Sequence, residues 1–306
     1  MKEYVITTEK DSIKEQKIVG CIGYFDGFHI GHQTLFNKTL AIAKQKNLKS
    51  ALITFDPDPW VILKGLHNIQ HVTTLNDRRK LAEVKGFDIW ITLQFDVSMA
   101  KLNPNAFLDL LHRNNIDHLV CGYDFKFGDK GAGDINTLKN QTVISSSIME
   151  EFDYLDEKVS TTRIIDAIKA GDMILVKKLM GRPYKVTGIV VHGKRIGTQI
   201  GFPTANLKVD QEYVIPRVGV YAGYAAVDGI KYPAMIAVGY NPTVKDDDLI
   251  SIEAHLFDYA NNLYGKEMEY YFIDYLRSEM KFADLQGLIT QLKIDDMNAR
   301  KIVKKL

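Results

Sequence analysis

Apolar runs alternate with helical patterns through the first 121 residues, and this alternation limits the possible fold more than any other feature. The strand-like runs cover residues 18–22, 51–55, 88–93 and 117–121, and the helical patterns cover residues 33–45, 76–85 and 104–113. Such alternation favours a parallel sheet covered by helices, with ligands at the carboxyl ends of the strands. The first half is therefore predicted to be an α/β domain.

After residue 183 the pattern changes to short β-branched or aromatic runs punctuated by glycine. These runs cover residues 185–191, 220–226, 232–238, 250–257 and 269–273. Short strands at this spacing indicate an antiparallel barrel or sandwich. A charged helix is predicted over roughly 282–304, packing through Leu285, Leu288, Ile289, Leu292 and Ile302. The 306 residues are enough for two domains of about 150 residues each.

The run GYFDGFHIGH, residues 23–32, lies where a predicted strand gives way to a predicted helix. Backbone N–H groups and the positive end of the helix dipole converge at such a turn, so it can hold a polyphosphate. His29 and His32 are suited to donate hydrogen bonds to phosphate oxygens, and Gly31 is expected to leave room for a nucleotide. The alternative is a turn with one surface histidine and one packed histidine.

Two further segments of the first half carry polar residues where phosphate binding is expected. Asp124, in the run GYDFKFG, follows the last predicted strand, although aspartate is also a common turn former. Ser160, Thr162 and Arg163 open a helix that runs to residue 169. They are either an ordinary helix cap or a receptor for the β- and γ-phosphates of ATP, built from free N–H groups and a fork-shaped cation.

The second half carries the run GFPTANL at residues 201–207, which follows a glycine-rich loop. The Thr204 hydroxyl and the Asn206 amide oxygen are hard, uncharged ligands suited to a magnesium ion that also binds phosphates. A turn without any metal is the alternative. Three segments stand downstream of this run, at residues 239–243, 252–256 and 277–282.

These motifs resemble those of a known family. The first run is similar to the H-x-G-H signature of nucleotidyltransferases, in the longer form seen in bacterial bifunctional riboflavin kinase/FAD synthetases. The second is similar to the signature of riboflavin kinases. The resemblance implies a Rossmann-like nucleotidyltransferase domain with a parallel sheet at 1–158. It also implies a helical connection at 159–182. An antiparallel β-barrel riboflavin kinase domain with a terminal helix is implied at 183–306.

The resemblance also implies two reactions and their residues. Riboflavin and ATP give FMN in the C-terminal half, and FMN and ATP then give FAD and pyrophosphate in the N-terminal half, with Mg²⁺ as cofactor. Catalytic roles fall to His29, His32 and Glu253, although Glu253 could instead be a salt-bridged strand carboxylate. ATP or phosphate binding falls to Gly23, Phe25, Asp26, Gly31, Asp124, Ser160, Thr162, Arg163, Gly193, Gly197, Gly201 and Pro203. Flavin binding falls to Asn241 and Arg277, and metal binding to Thr204 and Asn206.

The chain departs from the family pattern at four positions. Thr198 and Ile165 stand where the family usually has arginine, Asp58 where it commonly has histidine, and Thr161 where it has serine. The two missing arginines leave two alternatives open. Either only one of the two activities is retained, or the chain is a regulatory protein that binds flavin or nucleotide. The presence of His29, His32, Asn206 and Glu253 argues against a regulatory protein, because a sensor needs no base or metal ligand.

Composition and charge predict a cytoplasmic protein, and the resemblance implies that its partners are small-molecule substrates. Charge is nearly balanced, with 39 Lys plus Arg against 38 Asp plus Glu, so nothing global favours nucleic acid or membrane. No apolar run approaches the length of about 20 residues that spans a bilayer. Cys21 and Cys121, the only two cysteines, lie in apolar runs and are predicted to be reduced core residues. A monomer or a weak homo-oligomer is expected.

Overall fold

The computed structural model describes residues 1–9, 13–14, 17–193, 196–209, 212–240 and 250–304. The chain folds into two compact units, 1–161 and 162–306. The boundaries predicted from sequence, with a separate connection over 159–182, stay a prediction.

The first unit is built on a six-stranded sheet in the order β1-β4-β3-β2-β5-β6. Its strands are β1 Lys2–Ile6, β2 Ile18–Ile22, β3 Lys49–Asp56, β4 Ile89–Gln94, β5 Ile116–Gly122 and β6 Ser145–Met149. Every neighbouring pair in this sheet is parallel. The predicted α/β domain with a parallel sheet is thus confirmed.

Helices cover this sheet and connect its strands. They are α1 Ile30–Lys46, α2 Pro59–Lys64, α3 Leu75–Lys85, α4 Val97–Ala100, α5 Pro104–Arg113 and α6 Ile135–Asn140. Neighbouring strand residues enter different core clusters, Ile53 one and Leu52 the other, because alternate side chains of a strand point to opposite faces. The sheet is therefore buried on both faces, which explains its near-continuous apolar strands.

The second unit begins with two helices, α7 Thr161–Ala170 and α8 Met173–Met180, the first of which starts at the last residue of the first unit. A closed barrel in the order β10-β11-β8-β7-β12-β9 follows. Its strands are β7 Tyr184–Val191, β8 Ala205–Val209, β9 Gly219–Val227, β10 Ile230–Tyr240, β11 Ile250–Leu256 and β12 Glu267–Arg277. The strand pairs are antiparallel, so the predicted barrel, rather than a second parallel sheet, is confirmed.

A short helix, α9 Ile196–Gln199, precedes β8, and the long helix α10, Leu285–Val303, ends the unit. The C-terminal half of α10 packs on the barrel through Ala299 and Val303, with Leu292 and Ile302 beside them. The prediction that Leu285 packs is wrong, because its side chain is 55% exposed at the first turn.

Both cysteines are buried and free, as predicted. Burial raises the pKa of the Cys121 thiol to about 12, and the Asp124 carboxylate adds to the effect. Neither thiol is therefore suited to act as a nucleophile at neutral pH. Within the described ranges, we find no helix with both the length and the apolar character needed to cross a membrane.

Candidate active sites

A tight turn leads from the end of β2 into α1. Phe25, Gly27 and Phe28 all adopt positive φ, at 58°, 77° and 45°. This conformation is unfavourable for phenylalanine, so the surrounding contacts must hold it. One such contact is the hydrogen bond that the Gly23 N–H donates to the Ile53 carbonyl at 3.1 Å.

The Asp26 carboxylate supplies most of the remaining support. It accepts hydrogen bonds from the backbone N–H groups of Val72, at 3.0 Å, and Thr73, at 2.7 Å. The Thr73 hydroxyl also donates to it at 2.9 Å. Asp26 is only 5% exposed. The Asp26 carboxylate thus positions the turn, and the role in ATP binding that the resemblance implies for Asp26 stays a prediction.

His29 and His32 lie together at the start of α1, as their spacing predicts. His29 caps the helix, its Nδ1 accepting the His32 backbone N–H at 3.2 Å. The two imidazole rings stack with centroids 3.5 Å apart and an interplanar angle of 17°. Because Nδ1 of His29 is an acceptor, the neutral ring carries its proton on Nε2, which is then a hydrogen-bond donor.

Gly31 and Phe25 both pack against the histidine pair. A Cβ at Gly31 would lie 3.1 Å from His29 Nδ1, so the missing side chain makes room for the His29 ring rather than for nucleotide alone. Phe25 is 3% exposed and meets the His32 ring edge-on, at 5.1 Å between centroids. A Cβ at Gly23 would in turn lie 2.8 Å from the Phe25 ring. Gly23 and Phe25 therefore shape the histidine pair, and their predicted roles in ATP binding stay predictions.

The segment after β6 meets the end of β5 through an exposed ion pair. Lys158 Nζ donates to the Asp124 carboxylate at 2.9 Å and lies 3.6 Å from Glu151. Burial alone would lower the pKa of Lys158, but the hydrogen bond and charge of Asp124 together with the charge of Glu151 outweigh it, so the pKa is raised. Asp124 thus has a cationic partner in the structure, and its predicted contact with ATP remains a prediction.

The predicted hydroxyl-rich helix start is divided between the units. In the first unit, Thr161 directly follows Ser160, and its hydroxyl donates to the Asp26 carbonyl at 3.2 Å. Thr162 and Arg163 follow in the first turn of α7 and belong to the second unit. The phosphate-binding roles of Ser160, Thr162 and Arg163 stay predictions.

A large cavity in the first unit has no counterpart among the sequence predictions. It has a volume of about 710 Å³. Its wall is mostly apolar and aromatic, with Phe55 against Phe95 at 5.7 Å and Phe107 against Phe127 at 5.6 Å between ring centroids. The full lining is Tyr24, Phe55, Asp58, Pro59, Trp60, Leu63, Lys64, Phe95, Met99, Ala100, Phe107, Lys126, Phe127, Gly128, Lys130 and Gly131. The only sequence signal is the aromatic residues of the segments that follow β3 and β5.

Tyr24, which lines this cavity, is in contact with a cluster of polar and charged side chains. The Tyr24 hydroxyl is 3.3 Å from His71 Nε2, and His71 Nδ1 lies 3.9 Å from Asp58 and 4.0 Å from Asp26. The Arg78 guanidinium stands 4.2 Å over the Tyr24 ring and is 2% exposed. Burial raises the pKa of the Tyr24 hydroxyl, so this group stays protonated at neutral pH. Asp58, which departs from the family pattern, is thus part of a charged network and also caps α2.

The barrel unit brings three predicted oxygen-bearing residues together. Glu253 on β11 is the cross-strand partner of Asn206 on β8. The Thr204 hydroxyl donates to the Glu253 carboxylate at 2.9 Å. A Cβ at Gly193 would lie 2.3 Å from the Asn206 side chain, so the backbone at residue 193 passes directly against that amide. Hydroxyl, amide and carboxylate oxygens therefore share one side of the barrel.

The glycines of the neighbouring loop serve close packing and turning. A Cβ at Gly197 would lie 2.2 Å from the Phe202 carbonyl oxygen, and Gly201 has a φ of +85°. The Pro203 carbonyl accepts from His255 Nδ1 at 2.8 Å. A cavity of about 160 Å³ next to this segment is lined in part by Thr198, Pro203 and Thr204. Lys194 and Arg195, the two cations of the loop, lie outside the described residues.

The flavin-binding roles of Asn241 and Arg277 stay predictions. Asn241 lies outside the described residues. Arg277 donates through Nε and Nη2 to the Asp295 carboxylate, the shortest distance being 2.7 Å, and through Nη1 to the Ser278 carbonyl. Asp295 is 2% exposed. Arg277 therefore fastens α10 to β12 in this structure.

Comparison with known proteins assigns a family to each part of the chain. The FAD synthetase family model matches residues 11–163, and the riboflavin kinase family model matches residues 180–303. The bifunctional riboflavin kinase/FMN adenylyltransferase of Listeria monocytogenes is 37% identical over 94% of this chain and 93% of its own length. That of Bacillus subtilis is 35% identical over 98% and 97%. The chain belongs to the bifunctional riboflavin kinase/FMN adenylyltransferase family.

A solved structure extends the likeness of this family member to the whole fold. A protein from Streptococcus pneumoniae, named a macrolide-efflux protein, superposes with a TM-score of 0.91 at 30% identity. The match covers 98% of this chain and 99% of the other. The name describes the other protein, whereas the relatives with the same two domains are named as biosynthetic enzymes.

Proposed function

We propose that the two units of this bifunctional family member each catalyse one of two consecutive reactions. The second unit transfers the γ-phosphoryl group of ATP to riboflavin, giving FMN and ADP. The first unit joins FMN to the AMP part of a second ATP, giving FAD and pyrophosphate. The observation that carries the proposal is the separation of the two chemistries. The histidine pair lies in the first unit, and the Thr204–Asn206–Glu253 cluster lies in the second.

In the adenylylation, the FMN phosphate is already an ionised nucleophile and needs no strong base. It attacks the α-phosphorus of ATP, and pyrophosphate leaves. The protein must align the phosphates and stabilise the charge that develops on them. Nε2 of His29, His32 and the N–H groups at the start of α1 are the donors we assign to this task. Ser160, Thr162 and Arg163 remain proposed phosphate ligands.

The large cavity of the first unit suits the flavin ring of FMN. An isoalloxazine ring is flat and mostly apolar, with polar atoms at one edge. The cavity offers a wall rich in aromatic side chains, a volume of about 710 Å³ and, among its lining residues, Tyr24. Pockets of this size and character are typical of cofactor sites.

In the kinase reaction, the ribityl hydroxyl of riboflavin must lose a proton as it attacks the γ-phosphorus. Glu253 is the base that we propose, because its carboxylate accepts a hydrogen bond from Thr204 and is therefore aligned as an acceptor. Gly193 and Gly197 let the neighbouring loop approach closely, which suits a loop that covers phosphates.

The same cluster fits Mg²⁺. Thr204 Oγ1 and Asn206 Oδ1 are hard oxygen donors, and Glu253 adds a negative charge beside them. The close passage of Gly193 over Asn206 leaves no space for a larger residue there. A bound magnesium ion would neutralise phosphate charge in the kinase reaction. We propose Thr204 and Asn206 as its ligands.

We further propose that the protein works in the cytoplasm on small molecules, as a monomer or weak homo-oligomer, without nucleic-acid or membrane partners. The near balance of 39 basic against 38 acidic residues supports this proposal.

Two variants test the assignment of the reactions to the units. His32→Ala should reduce FAD formation from FMN by a factor on the order of 10² or more, through the loss of one transition-state donor, while FMN formation continues. Glu253→Gln should do the reverse, because glutamine keeps the shape but accepts no proton. Chromatography of flavins after incubation with ATP and Mg²⁺ measures both. Loss of both activities in a folded single variant would contradict the assignment.

A further inference from the structure

The helix α2 forms one wall of the large cavity in the first unit, yet its own side chains are poorly covered. Pro59, Trp60, Leu63 and Lys64 all line the cavity. No residue of α2 is buried, and the side chains of Trp60 and Leu63 are 49% and 50% exposed. Tryptophan usually buries most of its large apolar surface. An indole left open beside an aromatic cavity is therefore a surface that a ligand can cover.

One face of this indole already carries a replaceable partner. Lys64 Nζ stands 4.0 Å from the centroid of the Trp60 ring. Lys64 follows Trp60 by four residues on the same helix, so the two side chains are neighbours on one face of α2. Both residues line the cavity. An exposed cation–π contact is weak, and water can take the place of the indole as the partner of the ammonium group.

We propose that Trp60 is a stacking face for the isoalloxazine ring of FMN and that Lys64 leaves the indole as the ring takes its place. This inference rests on the proposed function, since it requires the flavin in this cavity. Two flat aromatic systems gain both buried apolar area and offset stacking, which exceeds what a solvated ammonium offers. Trp60 then determines affinity for FMN, while the histidine pair carries the chemistry.

The test is the adenylyltransferase reaction of the full chain, supplied directly with FMN, ATP and Mg²⁺. Trp60→Ala should raise the KM for FMN about tenfold with a smaller change in kcat, because stacking is equally strong in ground and transition states. Trp60→Phe, which keeps a flat ring, should stay within about threefold of the wild-type KM. Retained turnover at saturating FMN shows that the unit is folded.

Two further variants probe Lys64 and provide a control. Lys64→Met removes the competing cation and should lower the KM for FMN. Leu66→Ala changes a side chain that is 45% exposed just beyond α2 and does not line the cavity, so its KM should match the wild type.

The possible results separate the inference from the function on which it rests. An unchanged KM in Trp60→Ala, in a protein that still makes FAD, would overturn the stacking role and leave the function standing. An equal loss in Trp60→Phe and Trp60→Ala would also overturn it, since a stacking contact is restored by another ring. A tenfold rise in Lys64→Met would show that Lys64 binds FMN rather than yielding to it. A wild-type protein that makes no FAD would instead overturn the proposed function.

Discussion

At the scale of single residues, the geometry of the histidine pair depends on an absent side chain. Gly31 lies beneath the His29 ring, and that ring lies 3.5 Å from His32. A residue with a Cβ would push the His29 ring away, weakening both the stack and the cap on α1. The glycine between the two histidines thus has a steric reason that the spacing alone does not reveal.

We therefore expect Gly31→Ala to damage the adenylyltransferase reaction selectively. The added Cβ would stand 3.1 Å from His29 Nδ1 and force a shift of the ring. A shift of a few tenths of an ångström misaligns the donor and should slow the reaction by about tenfold, less than the loss of about 10² that a misplacement of about 1 Å causes. Flavin chromatography should show slow FMN-to-FAD conversion with normal FMN formation. Lys44→Ala, at an exposed position of the same helix, is the control. Normal FAD formation by Gly31→Ala would show that the His29 position is unimportant.

Residue roles are predictable from sequence where the partners are close in the chain, and less so elsewhere. The histidine pair is evident because its members are three residues apart. The sequence assigns Arg277 to flavin, whereas its partner Asp295 comes from a different element, 18 residues away. The large cavity of the first unit escapes prediction for the same reason, since its aromatic side chains come from several separate segments. Packing between distant segments leaves no local pattern to read.

At the scale of elements, α10 is held to the barrel by unequal ion pairs. The Arg277–Asp295 pair is mostly buried, with side-chain exposures of 16% and 3%. The Arg300–Asp258 pair is more open, at 33% and 81%. Removing one partner of a buried pair leaves an uncompensated charge, whereas an exposed charge is solvated by water.

Asp295→Ala should accordingly lower the free energy of unfolding of the barrel unit by on the order of 3 kcal/mol. Asp258→Ala should lower it by less than about 1 kcal/mol. Urea titrations followed through kinase activity would measure both. Equal effects of the two substitutions would mean that the buried pair does not fasten α10.

The contact between β5 and β6 predicts a pH dependence. His118 is buried, and its two ring nitrogens lie 2.7 and 2.9 Å from the hydroxyls of Ser145 and Ser147. Burial, assisted by the charge of Lys46, lowers the pKa of His118 in the folded protein. The unfolded chain then binds the proton more readily, so stability is lost as pH falls below the unfolded value of about 6.5.

Thermal unfolding at a series of pH values would reveal this contribution. Between pH 7 and pH 5 the unfolding temperature of the wild type should fall more than that of His118→Gln, because the glutamine side chain cannot be protonated. Parallel curves for the two proteins would show that His118 does not destabilise the acid form.

Their position at the edges of the sheet explains why the sequence patterns miss two of the strands, β1 and β6. The central strands β2 to β5 are all predicted, because burial on both faces gives them continuous apolar runs. β1 and β6 lie at the two edges of the sheet and are largely exposed or half-buried. Their sequences, KEYVI and SSSIM, are correspondingly polar, so no apolar run marks them.

At the scale of the whole molecule, the chain joins two different architectures. A parallel sheet presents loops and helix starts at the carboxyl ends of its strands, which suits the alignment of phosphates. A closed barrel fixes side chains on neighbouring strands, which holds Asn206 opposite Glu253. This division is predictable from the change in sequence pattern, because each fold has its own hydrophobic period.

The central claim is that one polypeptide makes FMN and then FAD. Its most direct test is a time course in which the purified chain receives riboflavin, ATP and Mg²⁺ and the flavins are separated by chromatography. We expect FMN to accumulate first and FAD to follow after a lag, because the product of one site is the substrate of the other. The absence of both products above a control without enzyme would contradict the account, and FMN that never proceeds to FAD would contradict its assignment of the first unit.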